Sequence, residues 1–78
     1  MTSEKHLVLF NDSEHSYDYV RASLIRYCKH EFYQAEQCIV IANNVGKVTV
    51  KEGDIMDLIT IQENLDKLGL KTELISAN

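Results

Sequence analysis

Asn11-Asp12-Ser13, with His15 close behind, is the densest group of polar side chains in the sequence, and it follows directly on the apolar run Leu7-Val8-Leu9-Phe10. Asn11 brings an amide oxygen and Asp12 a carboxylate, two acceptors suited to a cationic donor, and hydrogen bonds to an ionised group are roughly twice as strong as neutral ones. The same three residues are also the chemistry of a chain that stops and turns. On residue types alone, the turn is the simpler account. His6, His15 and His30 read as solvent-facing side chains.

No residue stands in a recognisable nucleophile motif, and Gly46, Gly53 and Gly69 are too far apart to cradle a phosphate, so no enzyme is expected. Cys28-Lys29-His30 together with Cys38 brings thiol and imidazole groups into the sequence. No closely spaced pair of cysteines is answered by a second pair, and neither metal nor other cofactor is expected. Both cysteines fall on predicted helices and read as small buried thiols.

The elements that must position these residues follow from periodicity. Leu7 to Phe10 is a short, continuous apolar run of the kind a buried strand needs. From Ser16 to Lys29, Tyr17, Val20, Leu24, Tyr27 and Cys28 fall three, four, three and one apart, the mark of an amphipathic helix. Ser16 is its N-cap candidate, and Asp18 suits the positive end of the helix dipole. Lys29 to Phe32 breaks the pattern. A second helix is predicted over Tyr33 to Asn44, with Ala35, Cys38, Ile39 and Ala42 on one stripe and Gly46 as its left-handed stop. Val48 to Val50 is a β-branched strand, and Glu52-Gly53-Asp54 reads as a turn with Asp54 as an N-cap. Ile55, Leu58, Ile59, Gln62, Leu65 and Leu68 keep helical spacing, Gly69 ends that helix, and Leu70 to Ser76 is a strand with Leu70, Thr72 and Leu74 on one face.

The order β-α-α-β-α-β, with three short strands and three helices each needing to bury one face, predicts an α+β, two-layer domain: three helices packed on a small antiparallel three-stranded sheet. Residues 1–5 are expected to be a short N-terminal tail and 6–78 a single domain. At 78 residues such a chain buries roughly 60–65% of its unfolded surface. Its stability should be modest, about 5 kcal/mol.

With 45% hydrophobic and 26% charged residues, the composition is that of a folded globular domain. A net charge of -4 with scattered Lys and Arg argues against a nucleic-acid partner. No stretch is long and apolar enough to span a membrane or serve as a signal peptide, so a cytoplasmic location is expected.

The run V-L-F-N-D-x-E-H-S-Y-D-Y-V over Val8 to Val20 resembles the opening of the ClpS family of Clp protease adaptors. In that family an apolar strand is followed by Asn-Asp, then an acidic and an aromatic residue and Val, here Asn11, Asp12, Tyr17, Asp18, Tyr19 and Val20. The resemblance continues through Gln34-Ala35-Glu36-Gln37 to Gly46-Lys47 and then holds in element order. It implies the same two-layer fold, which a ribosomal stalk C-terminal domain shares. It also implies an adaptor that binds proteins by a bulky hydrophobic N-terminal residue, an N-degron, and delivers them to a Clp AAA+ unfoldase of the ClpC or ClpA type. The implied cargo begins with Phe, Tyr, Trp or Leu.

Carried over residue by residue, the resemblance implies that Asn11, Asp12 and Asn43 hold the N-terminal ammonium. His15, Tyr17, Val20, Ile39, Ala42 and Leu70 would surround the side chain. Val20 and Tyr17 lie one helical turn apart, as do Ile39 and Ala42, so both pairs can face one cavity. The chain departs from the family pattern at Ser13, where a second Asp is usual, at Asn43, where His is usual, and at Ala42, where Val is usual. Only about five residues precede the first strand, whereas family members usually carry a longer extension. The alternative is a protein of the same fold that has lost N-terminal-residue recognition and acts as a regulator or interaction module. Under the first reading, Asp12→Ala is expected to remove peptide binding with little change in stability.

Overall fold

Leu7, Val8 and Leu9 are all buried, although alternation turns Val8 to the face opposite Leu7 and Leu9. Burial of all three suits a strand paired along both edges, where Val8 lies between Thr49 and Glu73 of its neighbours. Strand β1 (Glu4–Phe10) accordingly takes the centre of the sheet. It lies between β2 (Lys47–Asp54) and β3 (Thr72–Ser76), antiparallel to both. Helices α1 (Tyr17–Tyr27) and α2 (Phe32–Val45) connect β1 to β2, and α3 (Ile55–Lys67) connects β2 to β3. The structure is a computed structural model and describes residues 4–76; residues 1–3 of the expected tail and the last two residues of the expected domain lie outside the described residues.

The β-α-α-β-α-β order and the three-helix, three-stranded layout agree with the sequence reading. Leu7 and Leu9 share one face of β1, and that face forms the core with Val48 and Val50 of β2, Val20 and Leu24 of α1, Ala35 and Ile39 of α2, and Leu58 and Leu65 of α3. All three helices therefore bury their stripes against the same side of the sheet.

Two boundaries differ from the sequence reading for a single reason. β1 begins at Glu4, taking Glu4 and Lys5 out of the expected tail, and β2 runs on through Glu52-Gly53-Asp54, where a turn was expected. These segments pair with each other, Glu4 with Asp54, Lys5 with Gly53 and His6 with Glu52. A ladder partner overrides the local preference of turn residues. A bulge between Leu7 and Val8 skips Val50 in the register and keeps it, with Val48, turned into the core.

β3 starts later than expected, at Thr72. Leu70 is not in the strand. Its N–H donates to the Leu65 carbonyl at 3.1 Å, which ties it to the end of α3 and buries its side chain in the core.

The caps follow their residue types. Ser16 Oγ accepts from Tyr19 N–H at 3.1 Å and Asp54 Oδ1 from Met56 N–H at 2.9 Å. The Glu31 N–H donates to Gln34 Oε1 at 2.9 Å to start α2. His30 is not a free surface residue: it is half-buried, with Nε2 2.6 Å from the Val50 carbonyl. Cys28 is fully buried, and burial pushes its thiol up to about 12, with Lys51 pulling the other way and Cys38 adding to the rise. Cys38 is half-buried, and burial raises its thiol as well.

Gly46 closes α2 at φ 104°, in the left-handed region, with its N–H on the Ala42 carbonyl at 2.8 Å. A Cβ there would meet no atom within 4 Å, so the cost of Gly46→Ala is backbone strain alone. Thermal and urea unfolding should show a loss of about 1 kcal/mol.

Candidate functional site

Where β1 ends, two backbone bonds hold the chain to its neighbours. Phe10 N–H donates to the Lys71 carbonyl at 3.0 Å, and Asn11 N–H donates to the Gly46 carbonyl at 2.9 Å. The second bond brings Asn11 beside the end of α2, where Asn43 stands one turn before Gly46. Two residues thirty-two positions apart thus reach one rim.

Asp12 organises the turn that follows. Its Oδ1 accepts from Glu14 N–H at 2.7 Å and from His15 N–H at 2.9 Å, and its Oδ2 lies 2.6 Å from His15 Nδ1. Burial pushes the Asp12 carboxyl upward, but the bonds from Glu14 N–H, the His15 ring and His15 N–H, with the charge of His15, outweigh it and hold the group below its usual 3.8.

His15 is fixed in turn. Its ring stacks on Tyr19 with centroids 4.9 Å apart and planes 12° from parallel, and Tyr19 Oη donates to the Leu68 carbonyl at 2.8 Å. Gly69 packs against the ring's other atoms, since a Cβ at that position would fall 3.1 Å from His15 Nε2. The end of α3 therefore braces His15, and His15 braces Asp12.

Behind this rim, α1 and α2 leave a cavity of about 210 Å³ lined by Leu9, Phe10, Asn11, Asp12, His15, Tyr17, Val20, Ile39, Ala42 and Asn43. Leu9, Val20, Ile39 and Ala42 are buried and form its inner wall, while Asn11, Asn43 and Tyr17 are exposed at its mouth. Drug-sized ligands occupy roughly 300–1,000 Å³; this space suits a single large side chain. Among the described residues neither the Asn11 nor the Asn43 side chain has a protein hydrogen-bond partner.

Eight of the nine residues singled out from the sequence converge on this cavity. Leu70 does not, because its bond to Leu65 draws it under α3 into the core. Leu9 and Phe10 line the cavity although the sequence reading assigned them only to the strand. The signal for both was their place in the chain, directly before Asn11 and Asp12. His15 is half-buried and bonded rather than solvated.

The model of the family described as "ATP-dependent Clp protease adaptor protein ClpS" matches residues 2–73. The chain belongs to the ClpS family. ClpS proteins are adaptors of Clp protease, not proteases, and work through contacts with the Clp machinery and its substrates. Among solved structures, the chain is similar to Agrobacterium tumefaciens ClpS2 bound to L-phenylalaninamide, with a TM-score of 0.84 at 16% identity, covering 95% of this chain and 96% of that one. At that identity the likeness establishes the shared ClpS fold. No curated protein matches. Among the described residues no helix is long and apolar enough to cross a membrane.

The Asp12 contacts overturn the expectation that Asp12→Ala leaves stability unchanged, because two backbone N–H groups and a ring nitrogen would lose their acceptor. The cost should be about 1–3 kcal/mol. The lowered carboxyl also sets a pH dependence. Between the folded and unfolded pKa values the unfolded chain binds more protons, so the stability from Asp12 is complete above 3.8 and is lost as pH falls through the lower folded value. Urea unfolding followed from about pH 5 down to about pH 2 should therefore show a shallower loss of stability for Asp12→Asn than for the parent.

Proposed function

We propose that this chain is a cytoplasmic adaptor that captures proteins by a bulky hydrophobic N-terminal residue and passes them to a Clp AAA+ unfoldase of the ClpC or ClpA type. The observation that carries this reading is the junction of an apolar cavity with a rim of acceptors. Val20, Ile39 and Ala42 line the inside, and Asn11, Asp12 and Asn43 stand at the opening. An N-terminal residue presents an ammonium and an unhindered side chain, and the two halves of the site answer one each.

Burying a Leu or Phe side chain contributes about 1.5–3 kcal/mol. The ammonium adds charge-assisted hydrogen bonds to Asn11, Asp12 and Asn43. The ClpS2 structure supports the reading, since L-phenylalaninamide carries a free α-amine and a benzyl side chain. Leu70 has no part in the proposed pocket. Binding and release involve no covalent step.

A second reading, a ClpS-fold regulator without N-terminal-residue recognition, is favoured by one observation. Both Asp12 oxygens already accept bonds from within the turn, and Ser13 and Asn43 supply no charge of their own. A carboxylate has about four acceptor positions, so three internal donors leave Asp12 room for one more.

Fluorescence anisotropy with labelled peptides beginning with Phe, Tyr, Trp or Leu separates the two readings. Under the adaptor reading these peptides bind, and N-acetylation or an initial Val weakens binding by roughly tenfold or more. Folded protein that binds none of the free peptides would leave the regulator reading in place.

A further inference from the structure

Tyr17 is an unusual wall. It lines the cavity, yet 40% of the residue is exposed, so packing alone does not hold its ring. A cation lies against it from one helical turn further on. The Arg21 guanidinium sits over the Tyr17 ring, 5.3 Å from its centroid, and also over the Phe32 ring at 4.5 Å. Two carboxylates fix the guanidinium: Nη2 lies 2.6 Å from Asp18 Oδ1 and Nη1 lies 3.5 Å from Glu36 Oε2. The side chain of Arg21 is itself only 21% exposed. One planar cation thus ties the first turn of α1 to the first residue of α2 and lies against a ring that lines the cavity.

We propose that Arg21 is a positioning residue that fixes the Tyr17 ring and so sets how strictly the cavity separates flat from branched side chains. The inference rests on the proposed reading of the cavity as the site for an N-terminal side chain. A flat ring held in place offers a stacking surface to a benzyl group, for which offset or edge contacts are favourable. An isobutyl group gains no such contact. If the ring swings freely, the stacking advantage is spent on ordering it, and the two ligands become more alike.

The probes are L-phenylalaninamide and L-leucinamide, titrated calorimetrically into the parent, Arg21→Met, Arg21→Lys, Tyr17→Ala and the Tyr17→Ala/Arg21→Met double variant. Thermal unfolding confirms that each is folded. Arg21→Met should weaken L-phenylalaninamide binding roughly three- to tenfold and shift L-leucinamide by less than about twofold. Arg21→Lys keeps the charge but lacks the planar face, and should not restore the ratio. In the Tyr17→Ala background Arg21→Met should change nothing further, because Arg21 acts through that ring.

An unchanged ratio in Arg21→Met, its restoration by Arg21→Lys, or simply additive effects would overturn the inference. NMR of the unliganded protein keeps the test independent of binding. The Tyr17 χ1 couplings should report one rotamer in the parent and averaging in Arg21→Met. Averaging already present in the parent overturns the inference; a parent with a fixed ring that binds neither amide overturns the proposed function instead.

Discussion

The Asp12 carboxylate is the fixed point on which the site depends. It gathers the Glu14 and His15 N–H groups and the His15 ring within hydrogen-bond distance, which converts the end of β1 into a tight turn and sets the direction in which α1 leaves. The positions of Tyr17 and Val20 follow from that direction. The same carboxylate stands at the cavity mouth, so the group that shapes the turn is also the only anionic one in the lining.

The sheet supplies the other half of the frame. β1 is central because its three successive buried residues need neighbours on both edges, and its last residues are clamped by Gly46 on one side and Lys71 on the other. The left-handed stop at Gly46 serves two purposes there. It ends α2, and it leaves a carbonyl where Asn11 can take it. Gly69 does the corresponding work at the end of α3, where it takes φ 87° and where a Cβ would crowd the His15 ring at 3.1 Å.

An adaptor needs a site that holds a ligand without altering it, and the arrangement suits that task. The apolar interior comes from a central strand and helix stripes that would be buried in any event, and the polar rim comes from residues that already terminate a strand and a helix. Under the proposed reading, recognition chemistry is therefore built largely from parts that the fold requires. The Arg21 cluster is different, because Tyr17 and Phe32 lie outside the core and their contact with Arg21 adds to what folding alone demands.

Much of this architecture is legible in the order of residues alone. The helix stripes, the Ser16 and Asp54 caps, the Gly46 and Gly69 stops and the strand at Leu7 to Phe10 are encoded locally, through hydrophobic spacing and backbone preference, and local signals survive folding. Eight of the nine candidate site residues could be named because they lie on or between such elements, at positions that the resemblance to the ClpS pattern marks even where, as at Ala42 and Asn43, the residue type departs from it. What depends on partners distant in the chain was decided only by the tertiary structure. Glu52-Gly53-Asp54 became strand because Glu4 to His6 lay opposite, Leu70 left the site because Leu65 captured its N–H, and Asp12 gained a structural role because His15 was braced by Tyr19 and Gly69. A sequence states what each residue prefers, but pairing and packing are properties of two segments together, and only folding brings those segments into contact.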